Sequence, residues 1–228
     1  MKLTENTLTL LQNYSAIQPN ILFGQTPGKL KTISEAKNIF AVADIPESFD
    51  VEVGIYDLNE FLSALTLVSD ANLEFTENVI KISSADSKTK LNYACANSSI
   101  LTFPQKDLTD PVYDIENIVF TTELLSAIKK ASSVLGHDTF SLIKKADSPV
   151  VEAKVHDIDN TSSNAWSSVV SEIDGDAEFE FHFMINNLKL IPGNYKVSLS
   201  SKLISKWECE TVPVTYWIAI EHTSNYKG

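Results

Sequence analysis

Any chemistry in this chain has to come from four histidines, two cysteines, a surplus of carboxylates and a set of lysines unmixed with arginine. His137, His156, His182 and His222 show no ligand spacing to one another or to Cys95 and Cys209, so no metal ligands are expected from the sequence. Whether they cluster in space is not decided at this level. Asp174-Gly175-Asp176 sets two carboxylates about a glycine, but no twelve-residue loop ending in glutamate follows, and the triplet reads as a hairpin turn. Asp157 to Asn160 reads as a second acidic turn. A nucleophile elbow, a phosphate-cradling glycine loop, a dinucleotide fingerprint and a zinc-protease helix are all missing. No catalytic residue and no cofactor is expected, and the chain does not read as an enzyme.

The cationic chemistry is of one kind. All 18 basic side chains are lysine, against 30 carboxylates, for a formal net charge of −12. Arginine reads guanine edges with two parallel hydrogen bonds, so its absence argues against sequence-specific reading of DNA. A lysine ammonium, acting as a hydrated point charge, is enough for non-specific, sliding contact with phosphates. Net charge leaves open where the charges sit.

Four helical segments are expected to position those lysines. Thr4 precedes a run in which Leu8, Leu11, Tyr14 and Ile17 recur at helical spacing. Asp57, with Glu60 three residues on, caps a second helix whose stripe is Leu58, Phe61, Leu62, Leu65 and Val68, with Tyr56 and Phe61 set for a hydrophobic staple. Thr121 opens a third, with Leu124, Ile128, Ala131 and Leu135 on one face, Phe120 and Leu125 placed for another staple, and Gly136 closing it. A fourth, short helix carries Leu188 and Ile191 on one face and Lys189 off it. Pro192-Gly193 ends it in a type II turn with Gly193 at positive φ.

These helices sit in a duplicated frame. Phe49 to Leu58 lies on Phe179 to Leu188 without a gap, so that Val53 meets Phe183 and Ile55 meets Ile185, and alternation passes into helical period at the same point in both. Each half reads helix, strands, helix, strands. Strands are expected at Ile21 to Phe23, Leu30 to Ser34, Ile39 to Ile45, Phe49 to Ile55, Leu73 to Phe75, Val79 to Ser83 and Leu91 to Ala94. The second half adds Phe140 to Ile143, Val150 to Val155, Trp166 to Ile173, Glu178 to Phe183, Tyr195 to Leu199, Leu203 to Cys209 and Val214 to Ile220. Two domains follow, 1–110 and 111–228, joined by an acidic linker from Pro104 to Asn117. At 43% hydrophobic residues, with neither a long apolar run nor a leader at Met1-Lys2-Leu3, the chain reads as soluble, and Cys95 and Cys209 as buried thiols in a reducing compartment.

Ile55-Tyr-Asp-Leu-Asn-Glu-Phe-Leu62 with Leu65, Pro192-Gly-Asn-Tyr-Lys196, and a Met1-Lys-Leu start before a leucine-rich helix resemble, in combination, the sliding clamps of T-even-type bacteriophages. The resemblance spans essentially the whole chain. It implies an α+β DNA-clamp fold of two similar domains, each with antiparallel sheets outside and two helices lining the hole of a homotrimeric ring. It further implies a processivity factor that encircles double-stranded DNA, tethers the DNA polymerase, is opened by a clamp loader, serves late transcription factors, and works in the cytoplasm of the infected bacterium. On that reading Lys2, Lys129, Lys130 and Lys189, helped by loop residues such as Lys202 and Lys206, face DNA, and Lys129 and Lys130 lead because they fall opposite the third helix's apolar stripe. Val112, Tyr113 and Ile115 are expected beside the pocket that takes partner tails.

The chain departs from the family in one respect, since neither of its first two helices carries a lysine where the hole should be basic. The alternative reading is a β-rich structural virion protein without DNA-tethering activity.

Overall fold

The computed structural model describes residues 1–160 and 162–228, which divide into two compact units, 1–107 and 108–228. The first unit runs α1 (Glu5–Ile17), β1 (Ile21–Phe23), β2 (Lys29–Ile33), β3 (Ile39–Asp44), β4 (Val53–Ile55), α2 (Leu58–Leu65), β5 (Asn72–Phe75), β6 (Val79–Ser83) and β7 (Lys90–Ala94). The second runs β8 (Ile115–Phe120), α3 (Thr122–Leu135), β9 (Thr139–Lys144), β10 (Val150–Val155), β11 (Trp166–Glu172), β12 (Glu178–Met184), β13 (Tyr195–Ser200), β14 (Ile204–Cys209), β15 (Val214–Ala219) and β16 (Asn225–Lys227). Among the described residues no helix is long and apolar enough to cross a membrane.

The duplication is visible in strand register. β1 pairs antiparallel with β4 so that Phe23 opposes Val53, and β9 pairs with β12 so that Phe140 opposes Phe183. The sequence alignment had set Val53 on Phe183, and the pairing places Phe23 and Phe140 in the matching positions opposite them. β5-β6-β7 form a meander in the first unit, as β13-β14-β15 do in the second. Aromatic residues fill both cores. Phe23, Phe49 and Phe75 meet with ring centroids 4.9 to 5.6 Å apart, while Phe120 meets Trp207 at 4.8 Å and Phe140 stacks on Phe183 at 4.9 Å.

Three helices form as expected, with their caps. Thr4 Oγ1 accepts from Thr7 N, Asp57 from Asn59 N and Glu60 N, and Thr121 Oγ1 from Leu124 N, while Gly136 closes α3 at φ +73°. The first is reinforced from outside the helix. The buried Glu47 carboxylate accepts from Thr4 N at 2.6 Å and from Thr7 Oγ1 at 2.7 Å, satisfying donors at the positive end of α1. Helical faces turn slightly from the expected stripes. In α3 the buried set is Leu125, Ile128 and Ala131, with Leu124 and Leu135 at the margin. Tyr56 is 59% exposed and makes no staple, since Phe61 packs on Tyr93 and Phe23 instead.

The fourth helix does not form. A single 3-10 turn, Ile185–Asn187, stands in its place, and Leu188, Leu190 and Ile191 are all buried, a spacing that a helix turning one face inward cannot satisfy. Tyrosine hydroxyls take the backbone bonds a helix would have used, with Tyr195 Oη donating to Ile191 O at 2.6 Å and Ile191 N donating to Tyr216 Oη at 3.4 Å. Among the described residues the second unit therefore has one α-helix. Gly193 is not at positive φ; a Cβ there would lie 2.9 Å from Cys209 Sγ, so close approach accounts for the glycine.

Further corrections come from tertiary packing. Only Val53–Ile55 of the expected Phe49 to Ile55 strand is ladder-paired, because Phe49 turns into the aromatic cluster. The expected linker ends early, since Ile115 to Asn117 already belong to β8. Asp174-Gly-Asp176 is no hairpin: it joins β11 to β12, which are separated in the sheet order β11-β10-β9-β12-β16. Buried Lys144 explains how that crossing is held, its ammonium donating to Gly175 O at 2.8 Å and Ala177 O at 3.0 Å. Cys95 and Cys209 are free thiols as expected, but each is partly exposed.

Candidate nucleic-acid interface

A surface for phosphates needs ammonium groups that are exposed and not already matched by carboxylates. α3 supplies two. Its buried edge fixes the opposite edge outward, where Lys129 and Lys130 are exposed alongside Ser126 and Ser133. Among the described residues neither lysine forms an ion pair. Withdrawal of solvent by the surrounding protein lowers the pKa of Lys129 from the ordinary lysine value. The helix is aimed by its start, where Asn194 Oδ1 accepts from Thr122 N at 3.0 Å and ties α3 to the segment before β13.

The other lysines differ in commitment. Lys2 is exposed but paired with Asp70 at 2.5 Å. Lys202 is exposed in the turn between β13 and β14. Lys189 is half-buried just past the 3-10 turn. Lys206 lies on β14 between two carboxylates, 3.3 Å from Asp110 and 3.2 Å from Glu208. Burial acts to lower its pKa, but bonds to Glu208 and Asp110 outweigh that and raise it. Apart from Ala16, the exposed residues of α1 and α2 are amides, hydroxyls and carboxylates, among them Asn6, Gln12, Asn59, Glu5 and Glu60. Several hydroxyls are folded back on their own helix, as Thr9 is on Glu5 O and Ser63 on Asn59 O.

The segment before β8 is built around one carboxylate. Asp110 accepts from Trp217 Nε1 at 2.7 Å and from Tyr113 Oη at 3.0 Å, with Lys206 beside it. Burial raises the Asp110 pKa, but these donors outweigh it and hold the carboxyl below its ordinary range. Tyr113 is pushed above the ordinary phenol value by burial and by Asp110. Of the three expected partner-binding residues, Ile115 is buried in β8, Tyr113 is half-buried in this network, and Val112 stands 75% exposed. Asp110 and Trp217 were missed as a pair because 107 residues separate them.

Residues 3–102 match the DNA polymerase processivity factor model, and residues 117–222 match the C-terminal model of the gp45 sliding clamp. The sliding clamp of Escherichia phage RB69 is 34% identical over 99% of this chain and 99% of its own. The chain belongs to the sliding-clamp family. The sliding clamp of Vibrio phage KVP40 agrees, with 31% identity over 97% of this clamp and 99% of that protein. At the level of fold, the A. fulgidus PCNA, solved with the C-terminal region of FEN-1 bound, superposes with a TM-score of 0.67 at 16% identity, over 96% of each chain. The expected DNA-clamp fold and processivity-factor family are thereby established, and the virion alternative is set aside.

Proposed function

We propose that this clamp closes with two further copies into a homotrimeric ring around duplex DNA, and that the ring tethers the replicative polymerase during phage replication in the host cytoplasm. The carrying observation is the placement of Lys129 and Lys130, exposed and unpaired on α3 in a chain of formal charge −12. Repulsion from an acidic exterior keeps phosphates away, and a few lysines inside a closed ring are enough, because topology rather than affinity retains DNA. Lys2, Lys189 and Lys202 add weaker contacts, and Lys206 is the least available. Each unit also offers an outer strand, β7 in the first and β11 in the second, and joining unlike edges from copy to copy is the kind of contact that closes a ring.

Polymerase, loader and late-transcription tails are assigned to the surface carrying Val112 and Tyr113, with Ile115 as its support in the core. The bound C-terminal region on the A. fulgidus PCNA supports a tail as the ligand. No step here is catalytic; the ring acts by holding on.

Light scattering on the purified clamp, followed by loading onto nicked circular DNA with cognate loader and ATP, tests the proposal. A trimer retained on circles and lost from linearised DNA is expected. A monomer or open polymer with equal retention on both would overturn it.

A further inference from the structure

His156, Glu180 and His182 meet on one side of the β9-β10-β12 arrangement, although 26 residues separate the two histidines. Alternation decides the side. On β9, Phe140 and Leu142 are core residues, so Ser141 points the other way; His182 opposes Ser141 and Glu180 opposes Ile143. Fully buried Ser141 lies with Oγ 2.8 Å from His156 Nε2 and 2.6 Å from His182 Nδ1, which turns both rings towards one point. One nitrogen of each ring and a Glu180 carboxylate oxygen all lie within 4.8 Å of one another.

We infer that this cluster binds a divalent transition metal of the zinc type. Two imidazoles and one carboxylate are a zinc donor set, and imidazole disfavours magnesium and calcium, which prefer all-oxygen shells. Zinc bonds of about 2.0–2.2 Å require ligand atoms roughly 3.3 Å apart, so small side-chain rotations close the site. The fourth position falls to the Ser141 hydroxyl or to water. A serine hydroxyl can donate to only one of the two rings, and that bond uses the ring's free lone pair, so metal binding displaces the Ser141 proton from it. Lys154 faces His156 and opposes a second cation, while Glu180 and Glu221 act on His182 in the opposite sense. The bound ion would clamp the end of β10 to β12 across β9.

The test uses the full-length clamp with Cys95→Ser and Cys209→Ser, which removes competing thiols, titrated with Co²⁺ and with Zn²⁺ against a chromogenic chelator, with Mg²⁺ as control. One ion per chain, visible ligand-field bands with Co²⁺, and no Mg²⁺ competition are expected. At a hundredfold excess over Kd, Zn²⁺ should raise the melting temperature by on the order of 5 °C. Glu180→Gln and His156→Gln, each checked for an unchanged metal-free circular dichroism spectrum, should each weaken binding at least about tenfold and abolish the bands. Absence of one-to-one binding, or binding that Glu180→Gln leaves intact, would overturn the assignment.

Discussion

Trp217 Nε1 donates to Asp110 Oδ1 at 2.7 Å, fastening the segment that precedes β8 to the outer face of β15. Replacing Trp217 by Phe keeps the ring and deletes the bond. The pair is partly exposed, so a loss of about 1 kcal/mol is expected in denaturant unfolding, together with faster proteolytic nicking between Leu108 and Asp114. Nicking at the wild-type rate would show that the bond does not hold the segment.

The same carboxylate sets a pH dependence. Its folded pKa is lowered, so its contribution to stability is present above the unfolded value near 4 and is lost as pH falls through the folded one. Unfolding midpoints of wild type and Asp110→Asn should therefore differ at pH 6 and converge as the pH is taken through and below the lowered folded value. A gap that persists at the acid end contradicts the mechanism.

Lys129→Ala/Lys130→Ala should reduce the salt dependence of equilibrium binding to short linear duplex, which a ring can leave by its ends, by roughly one unit of slope per lysine, with the oligomeric state unchanged by light scattering. Lys206→Ala should move that slope much less, because its ammonium already faces Asp110 and Glu208. Equal effects from the two variants would mean that the helix face is not the contact surface.

Lys144→Met fills the same space but leaves Gly175 O and Ala177 O without their donor. A loss of about 1–3 kcal/mol is expected by chemical denaturation, since two charge-assisted bonds to partly buried backbone carbonyls are lost. A neutral result would show that solvent replaces the ammonium.

Glu47→Gln retains an acceptor for Thr4 N and Thr7 Oγ1 but removes the charge at the start of α1, whereas Glu47→Ala removes both. Unfolding should register about 1 kcal/mol for the first and about 2 kcal/mol for the second. Equal losses would place the whole effect in the charge at the helix start and none in hydrogen bonding.

Much of this clamp was determined locally. The Thr4, Asp57 and Thr121 caps, the Gly136 terminus and the alternation of Phe179, Phe181 and Phe183 depend on neighbours within four residues, and they appear where their spacing puts them. The duplication was legible because a repeated apolar pattern needs the same pairing to bury it, and Phe23–Val53 and Phe140–Phe183 supply that pairing. Lys129 and Lys130 were legible as exposed because a helix with one buried edge must turn the other outward. What tertiary structure alone decided involves partners distant in sequence. Tyr195 and Tyr216 took the backbone bonds of Ile191 and reduced an expected helix to one turn, and Lys144 held a crossing that reads locally as a hairpin. The commitment of Lys206 to Asp110, and the meeting of His156 with His182 over Ser141, likewise depend on strand register. Local spacing encodes which face a side chain takes, whereas charge pairing and clustering follow from which strands lie side by side, and that is settled only when the core closes.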